Sequence, residues 1–477
     1  MAETITADIC IIGAGSGGLS VAAGAAQLGR KVVLIEKHLM GGDCLNTGCV
    51  PSKALLAAGK AAHAIRTAGR FGVVAQEPEI DFARTHAHVH GVIAAIEPND
   101  SVARFEGLGV RVILAAARFA GPDTVETDAG HVVRAKRFVI ATGSRAATPP
   151  IPGIEAVPYL TNETLFNRTA LPGHLLIIGG GPIGMEMAQA HRRLGAKVTV
   201  VERSTIMPKD DPELVAVVRK ALTAEGIDIR EGAEILRVEK AGDGIAIVLK
   251  SDGGEERVEG TELLVAAGRK VNVDGLGLEA ADIAFTPKGV TVDSGLRSTT
   301  NRRVYAVGDA AGGPQFTHVA GYHAGVVIKG MLFKLPSKVD YKALPWVTYT
   351  DPELAQVGLT EAAARERHGD KVRAVSWPLH ENDRAQAERL TEGFAKVVTD
   401  AGGQVLGAGI VGAHAGELIQ PWALAITAGL KLNAFTSMIA PYPTLGEVNK
   451  RAAGAFFTPK LFSAGSRRLV SFLSRFG

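Results

Sequence analysis

Cys44 and Cys49, separated by four residues, lie in the segment Gly41-Gly-Asp-Cys-Leu-Asn-Thr-Gly-Cys-Val-Pro-Ser-Lys53. The chain holds only 3 cysteines in 477 residues, too few for a disulfide framework, so placing two of them this close together points to a dithiol that cycles with its disulfide. Zinc is the competing use of paired cysteines. It would need four Cys or His ligands at suitable spacing, and no second cysteine pair supplies them, so no metal-binding set is expected. Cys10, in an apolar run before a glycine turn, reads as a core residue.

The elements around the pair explain what the dithiol would exchange electrons with. Downstream, Val50-Pro51-Ser52-Lys53 reads as the start of a helix. Upstream, Ile9 to Ile12 form an apolar strand and Gly13, Gly15 and Gly18 a G-x-G-x-x-G turn. A small-residue helix is expected over Ser20 to Gly29, then a strand over Lys31 to Ile35 ending at Glu36. In such a unit the first glycine allows the tight turn, the second lets a pyrophosphate approach the backbone, and the third lets helix and strand pack closely. The helix N-terminus presents N–H groups to the phosphates, and an acid at the end of the second strand meets a ribose.

The same unit returns midway. Leu175 to Ile178 is the strand, Gly179, Gly181 and Gly184 the turn, Met185 to Leu194 the helix, and Lys197 to Val201 the next strand, ending at Glu202. Two dinucleotides are therefore expected, FAD on the first unit and a nicotinamide cofactor on the second. Glu202 would hydrogen-bond the adenosine ribose and repel a 2′-phosphate, which favours NADH. Arg203 beside it softens that preference and leaves NADPH as the alternative. Phe138-Val-Ile-Ala-Thr-Gly-Ser-Arg145, with Thr142 and Gly143, and Leu263-Leu-Val-Ala-Ala-Gly-Arg-Lys270, with Gly268, read as strands ending in small-residue turns. Val304 to Ala310 ends a further strand at Gly308-Asp309, where an aspartate can meet a flavin's ribityl or phosphate end or simply cap a helix.

Together these residues resemble the class I pyridine nucleotide–disulfide oxidoreductases, the family of dihydrolipoamide dehydrogenase, glutathione reductase and mercuric reductase. The resemblance implies an α/β fold of two Rossmann-like FAD- and NAD(P)-binding domains plus a C-terminal α+β dimerisation domain. The expected order is an FAD domain over 1–148, an NAD(P) domain over 149–269, a central segment over 270–342 returning to the FAD domain, and a dimerisation domain over 343–477. It implies a homodimer whose active sites are each completed by the partner. By the same resemblance Cys44 is the interchange thiol, Cys49 the thiol beside the flavin, and Lys53, beside the isoalloxazine, pairs with Glu186. Read without it, Lys53 and Glu186 are helix surface residues. Cofactor contacts are expected at Gly13, Gly15, Gly18, Glu36, Gly42, Lys53, Thr142, Gly143, Gly179, Gly181, Gly184, Glu202, Gly268 and Asp309.

The family's disulfide reductases carry a His-Pro-Thr segment followed by a glutamate, the histidine serving as acid and base for the interchange thiol. Here the segment is Ala440-Pro-Tyr-Pro-Thr-Leu-Gly-Glu447, with Tyr442 in the histidine position and Glu447 kept. A neutral imidazole titrates near 6.5 and can take a thiol proton, whereas a phenol titrates near 10 and donates a hydrogen bond instead. Efficient lipoamide or glutathione turnover is therefore not expected. Tyrosine here, and Gly-Gly-Asp-Cys in place of Gly-Gly-Thr-Cys, resemble mercuric reductases. The C-terminal cysteine pair and N-terminal metal-binding domain of those enzymes are not in this sequence, which shifts the expected acceptor to another soft metal ion such as Cu(II), or to a quinone. The rival readings are a dihydrolipoamide dehydrogenase and a non-enzymatic redox-sensing protein. Among other histidines, His318, His323 and His380 read as structural or surface residues, with His318 the first substitute base.

The length implies several domains, and a net charge of +3 gives no reason to expect nucleic-acid binding. No basic segment followed by an apolar core opens the chain and no stretch matches a membrane span, so a cytoplasmic protein is expected. At the C-terminus Leu469, Phe472, Leu473 and Phe476 fall at helical spacing among Arg467, Arg468 and Arg475. Such a helix suits an anionic membrane surface or, as the plainer reading, the protein's own dimer.

Overall fold

A computed structural model describes residues 3–476. The chain forms two compact units, one built from Met1–Gly179, Arg193–Ala196 and Ile235–Val339, the other from Gly180–Arg192, Lys197–Glu234 and Asp340–Gly477. The fold is α/β.

In the first unit a sheet runs in the order β3 (Val110–Leu114), β2 (Val32–Glu36), β1 (Glu3–Ile12), β6 (His131–Ile140), β5 (Thr124–Thr127) and β4 (Ala117–Gly121). The strand Val304–Ala306 adds to β6 in parallel. The strands β3, β2, β1 and β6 are parallel, with Ile11 facing Leu34 on one side and Val139 on the other. Both faces of such a sheet are covered, so Ile9 to Ile12 form an unbroken apolar run, all at most 4% exposed, rather than an alternating one. Cys10 lies fully buried among Ile12, Val133 and Phe138, as a core residue should.

Helix α1 (Ser16–Gln27) packs on this sheet and against the helix Thr317–Met331, where a methyl group at Gly24 would come within 2.5 Å of Ile328 Cδ1. Both nucleotide-loop helices begin earlier than expected, α1 at Ser16 rather than Ser20 and the second at Pro182 rather than Met185. Packing overrides propensity here. Gly18 lies in the first turn of α1, where only glycine fits because a Cβ would stand 1.9 Å from the Gly13 carbonyl oxygen, and proline suits a first helical turn. The dithiol segment follows as a short α2 (Gly42–Asn46) and a long α3 (Cys49–Thr67). Further along, His174–Ile178 pairs in parallel with Glu262–Val265, and Ser144–Ala146 pairs antiparallel with Arg269–Val271.

In the second unit Lys197–Val201 pairs in parallel with Asp228–Arg230. Its C-terminal part is an antiparallel sheet in the order Pro345–Thr348, Glu353–Gly358, Val405–Gly412, Phe394–Thr399, Arg373–Pro378. Trp422 is fully buried there, stacked on Phe435 with ring centroids 3.9 Å apart, and its indole N–H donates to Asn449 Oδ1 at 2.7 Å. That bond pins the helix Glu447–Leu461, which opens on Glu447. No helix among the described residues is long and apolar enough to cross a membrane.

Candidate active site

Cys49 is the first residue of α3, a helix of 19 residues, and Cys44 lies in α2 just before it. Both are thiols here. The Cys49 thiol is drawn down to about 6, chiefly by its hydrogen bond with Cys44, then by the Thr317 hydroxyl and the Lys53 ammonium, against desolvation and the Asp43 carboxylate. The positive end of the α3 dipole acts in the same direction. The bond between the two sulfurs pushes Cys44 upward. Cys49 is thus the thiolate of the pair at neutral pH and Cys44 the thiol. Thr317, which no sequence motif singled out, stands 3.3 Å from Cys49 Sγ. Lys53 follows Cys49 by one helical turn, on the same face of α3.

Asp43, the residue that departs from the usual threonine, anchors a polar network beside the dithiol. Its Oδ1 accepts from Thr47 Oγ1 at 2.7 Å and from Asn162 Nδ2 at 2.8 Å, and its Oδ2 pairs with the Arg269 guanidinium at 3.0 Å. Arg269 also donates to Ser144 Oγ at 2.7 Å, and Ser144 donates in turn to Asp309 Oδ2 at 2.5 Å. Burial pushes the Asp309 carboxyl up, with the Ser144 bond and Arg269 opposing. Asp309 is the second residue of the short 3₁₀ turn Gly308–Ala311, whose N-cap position is Val307, so the helix-cap reading of this residue does not hold. The only sequence signal for the network was the Asp43 variant itself, since Asn162, Ser144 and Arg269 converge from distant parts of the chain. Because the Asp43 carboxylate opposes the Cys49 thiolate, Asp43→Asn is expected to lower the pH at which Cys49 titrates relative to the same protein with Asp43. A pH titration of Cys49 alkylation in a Cys44→Ser background, with and without the substitution, measures it.

The two glycine turns are built alike. A Cβ at Gly13 would meet the Ala141 carbonyl oxygen at 2.4 Å and one at Gly179 the Ala266 carbonyl oxygen at 2.5 Å, both at positive φ. Each following acid holds its own loop. Glu36 accepts from the Ala14 N–H at 2.6 Å and the His38 N–H at 2.8 Å, while Glu202 accepts from the Gly180 N–H at 2.7 Å and the Ser204 N–H at 2.9 Å. Gly42 is needed at the dithiol side, where a Cβ would stand 2.7 Å from Gly15 Cα. Thr142 donates to the Asn272 carbonyl at 2.7 Å, Gly143 at φ +65° accepts from the Asn272 N–H, and Gly268 accepts from the Ala147 N–H. These bonds tie the turn after β6 to the start of the returning segment. Gly181 has open space around its Cα, and Gly184 lies inside the helix Pro182–Leu194.

In the second unit Tyr442 is 70% exposed, and its hydroxyl donates to Asp383 Oδ2 at 2.8 Å. The Asp383 carboxylate holds the phenol above its usual range. Asn382 sets this geometry, capping the helix Asp383–Glu388 through the Ala385 N–H and donating to the Thr444 carbonyl at 3.0 Å. Glu186 is 4% exposed, not a helix surface residue, and its Oε1 accepts from the Tyr349 N–H at 2.9 Å. His323 is fully buried, accepts from the Gly308 N–H at 3.1 Å and is pushed down to about 4 by burial, so it is a neutral structural residue. His318 is exposed in the first turn of its helix, stacked on Phe316, and His380 is exposed in a 3₁₀ turn.

Residues 7–324 match the family model of the pyridine nucleotide-disulphide oxidoreductases, and residues 344–453 match the dimerisation domain of that family. The chain belongs to the pyridine nucleotide–disulphide oxidoreductases. It is 37% identical to the mercuric reductase of Lysinibacillus sphaericus over 451 residues, which is 94% of this chain and 82% of that protein. It is 36% identical to the dihydrolipoyl dehydrogenase of Thermus scotoductus over 461 residues, covering 94% and 97%. Among solved structures, the Cu(II) complex of the HOCl-induced flavoprotein disulfide reductase RclA from Escherichia coli superimposes with a TM-score of 0.83 at 28% identity, covering 93% and 98%. The protein is therefore an NAD(P)H-dependent flavoprotein oxidoreductase with FAD as cofactor, an enzyme rather than a redox-sensing binding protein, and its dimerisation domain indicates a homodimer. The first glycine turn fits FAD: Gly15 begins α1 with no side-chain cap, leaving the first-turn N–H groups to the phosphates.

Proposed function

We propose that this enzyme passes electrons from NADH through FAD and the Cys44–Cys49 pair to a soft, thiol-seeking metal ion of the Cu(II) type. FAD, when bound, would supply the hydride acceptor and the electrons that reduce the disulfide. Cys49, already a thiolate, would be the sulfur that faces the flavin, and Lys53 would stabilise negative charge on the reduced ring. Cys44 is the sulfur that takes the metal ion, losing its proton on coordination. Two electrons from the thiol–thiolate pair reduce two Cu(II) to two Cu(I), the disulfide re-forms, and the one proton released is that of Cys44. Tyr442 and Glu447 from the partner subunit complete the site.

The observation that carries this reading is Tyr442. Its hydroxyl is committed to Asp383 and its pKa is raised, so it offers no base for thiol–disulfide exchange, whereas metal reduction needs no leaving thiolate to be protonated. The names of the mercuric reductase relatives and of the RclA complex support it. A quinone is the second reading, favoured by the same lack of a base. The test is anaerobic reduction with one equivalent of NADH, followed by mixing with Cu(II), a quinone or lipoamide. Reduced enzyme that is stable to lipoamide and rapidly reoxidised by Cu(II) is expected. Rapid reoxidation by lipoamide would make it a dihydrolipoamide dehydrogenase.

The nicotinamide preference rests on Glu202. Replacing it with glutamine keeps an acceptor for the Gly180 N–H while removing the charge that repels a 2′-phosphate. The ratio of KM for NADPH to that for NADH is expected to fall about tenfold, read from steady-state kinetics; an unchanged ratio would remove Glu202 from the discrimination.

A further inference from the structure

Beyond Glu447 the chain carries Lys450, Arg451, Lys460, Arg467, Arg468 and Arg475 and no acidic residue. Its last helix, Ala464–Leu473, starts at Ser463, whose hydroxyl accepts from the Ser466 N–H at 3.2 Å. The backbone keeps turning past the helix end, with the Phe476 N–H donating to the Leu473 carbonyl at 3.0 Å. Leu469, Phe472, Leu473 and Phe476 thus share one face at i, i+3, i+4 and i+7, and the rings of Phe472 and Phe476 meet edge to face at 5.2 Å. Arg467, Arg468, Ser471 and Arg475 flank that apolar face and line one shallow groove along the helix, with Phe472 at its edge. The apolar side chains are 55–75% exposed, so the chain's own fold leaves this face uncovered. The helix also lies beyond residue 453, where the match to the family's dimerisation domain ends.

We infer that this helix is a membrane-surface anchor that docks the enzyme on an anionic lipid bilayer. Phenylalanine and leucine on one face, arginine and serine flanking it, and no acid anywhere in the segment are what a helix lying in the headgroup plane requires. Apolar contact alone would not select a charged partner; the arginines flanking the Phe and Leu side chains do, because each gains from a negatively charged surface. Pairing with the same helix of a second copy would instead bring six arginines together with no counter-charge from the helix. The inference does not depend on the identity of the electron acceptor, because its readout is lipid binding.

The test uses the FAD-loaded full-length protein, sedimented with vesicles of phosphatidylcholine alone or with about a third phosphatidylglycerol. Two variants accompany it: Arg467→Gln with Arg468→Gln and Arg475→Gln, and Leu469→Ser with Phe472→Ser. Binding to the anionic vesicles is expected, falling about a hundredfold when the three arginines are replaced or when the anionic lipid is omitted. The apolar-face variant is expected to lose vesicle binding while remaining a dimer by light scattering and keeping its NADH oxidation rate. Intact protein that stays in solution with anionic vesicles, or binds neutral ones equally well, would overturn the inference. So would dissociation of the Leu469→Ser, Phe472→Ser protein into monomers, which would assign the apolar face to the partner subunit.

Discussion

Replacement of Cys49 by serine abolishes the long-wavelength band of the two-electron-reduced enzyme and lowers turnover on the order of a thousandfold or more, because the two sulfurs act as a unit. The effect is specific to this sulfur. Cys49 begins α3, takes a hydrogen bond from Cys44, stands 3.3 Å from the Thr317 hydroxyl, and titrates at about 6. It is therefore the thiolate at neutral pH, and a thiolate beside an oxidised flavin is what such a band reports. Cys44→Ser, by contrast, is expected to retain a band while losing turnover, since in the proposed mechanism it removes the sulfur that meets the acceptor. That variant also removes the first cause of the low Cys49 value, so its band should appear at higher pH than that of the native protein. In the native protein the band should grow as pH rises through about 6, because deprotonation creates the absorbing partner. Anaerobic titration with spectral recording measures all three. An undiminished band in the Cys49→Ser protein would transfer the role to Cys44.

Replacing Tyr442 with histidine should raise lipoamide turnover by roughly a hundred- to ten-thousandfold, the usual contribution of a general acid–base group. The gain should develop as pH rises through about 6.5, where the imidazole becomes neutral and able to take a thiol proton. Asp383 and Glu447 both stand ready as carboxylates near that position, Asp383 at hydrogen-bonding distance from the present hydroxyl. Both would raise the histidine pKa and shift the onset upward. Tyr442→Phe is the control. It removes the hydroxyl without supplying a base, so lipoamide turnover should stay low while Cu(II) reduction shows whether the hydroxyl itself assists. If Tyr442→His leaves lipoamide turnover unchanged and already fast, the native protein is a disulfide reductase that does without this base.

Much of this protein is determined locally, and that part is readable from the chain. Glycine at 13, 18 and 179 is dictated by backbone contacts that admit no Cβ, so two nucleotide loops can be recognised without coordinates. The closeness of Cys44 and Cys49, and tyrosine where the resemblance implies histidine, are likewise matters of residue type at a position. The helix starts differ from expectation because the glycine turns run straight into their helices, α1 beginning at Ser16 and the second at Pro182.

Tertiary structure decided what depends on residues far apart in the chain. The Cys49 thiol has a neighbour in the Thr317 hydroxyl, 3.3 Å from its sulfur and 268 positions away in the chain. The Asp43 network needs Asn162, Ser144, Arg269 and Asp309 brought together by the pairing of Ser144–Ala146 with Arg269–Val271. Glu186 changed from a presumed surface residue to a buried one because its partner, the Tyr349 N–H, lies 163 positions on. Charge, exposure and hydrogen-bond supply at a side chain are sums over neighbours in space, and only the folded chain says who those neighbours are.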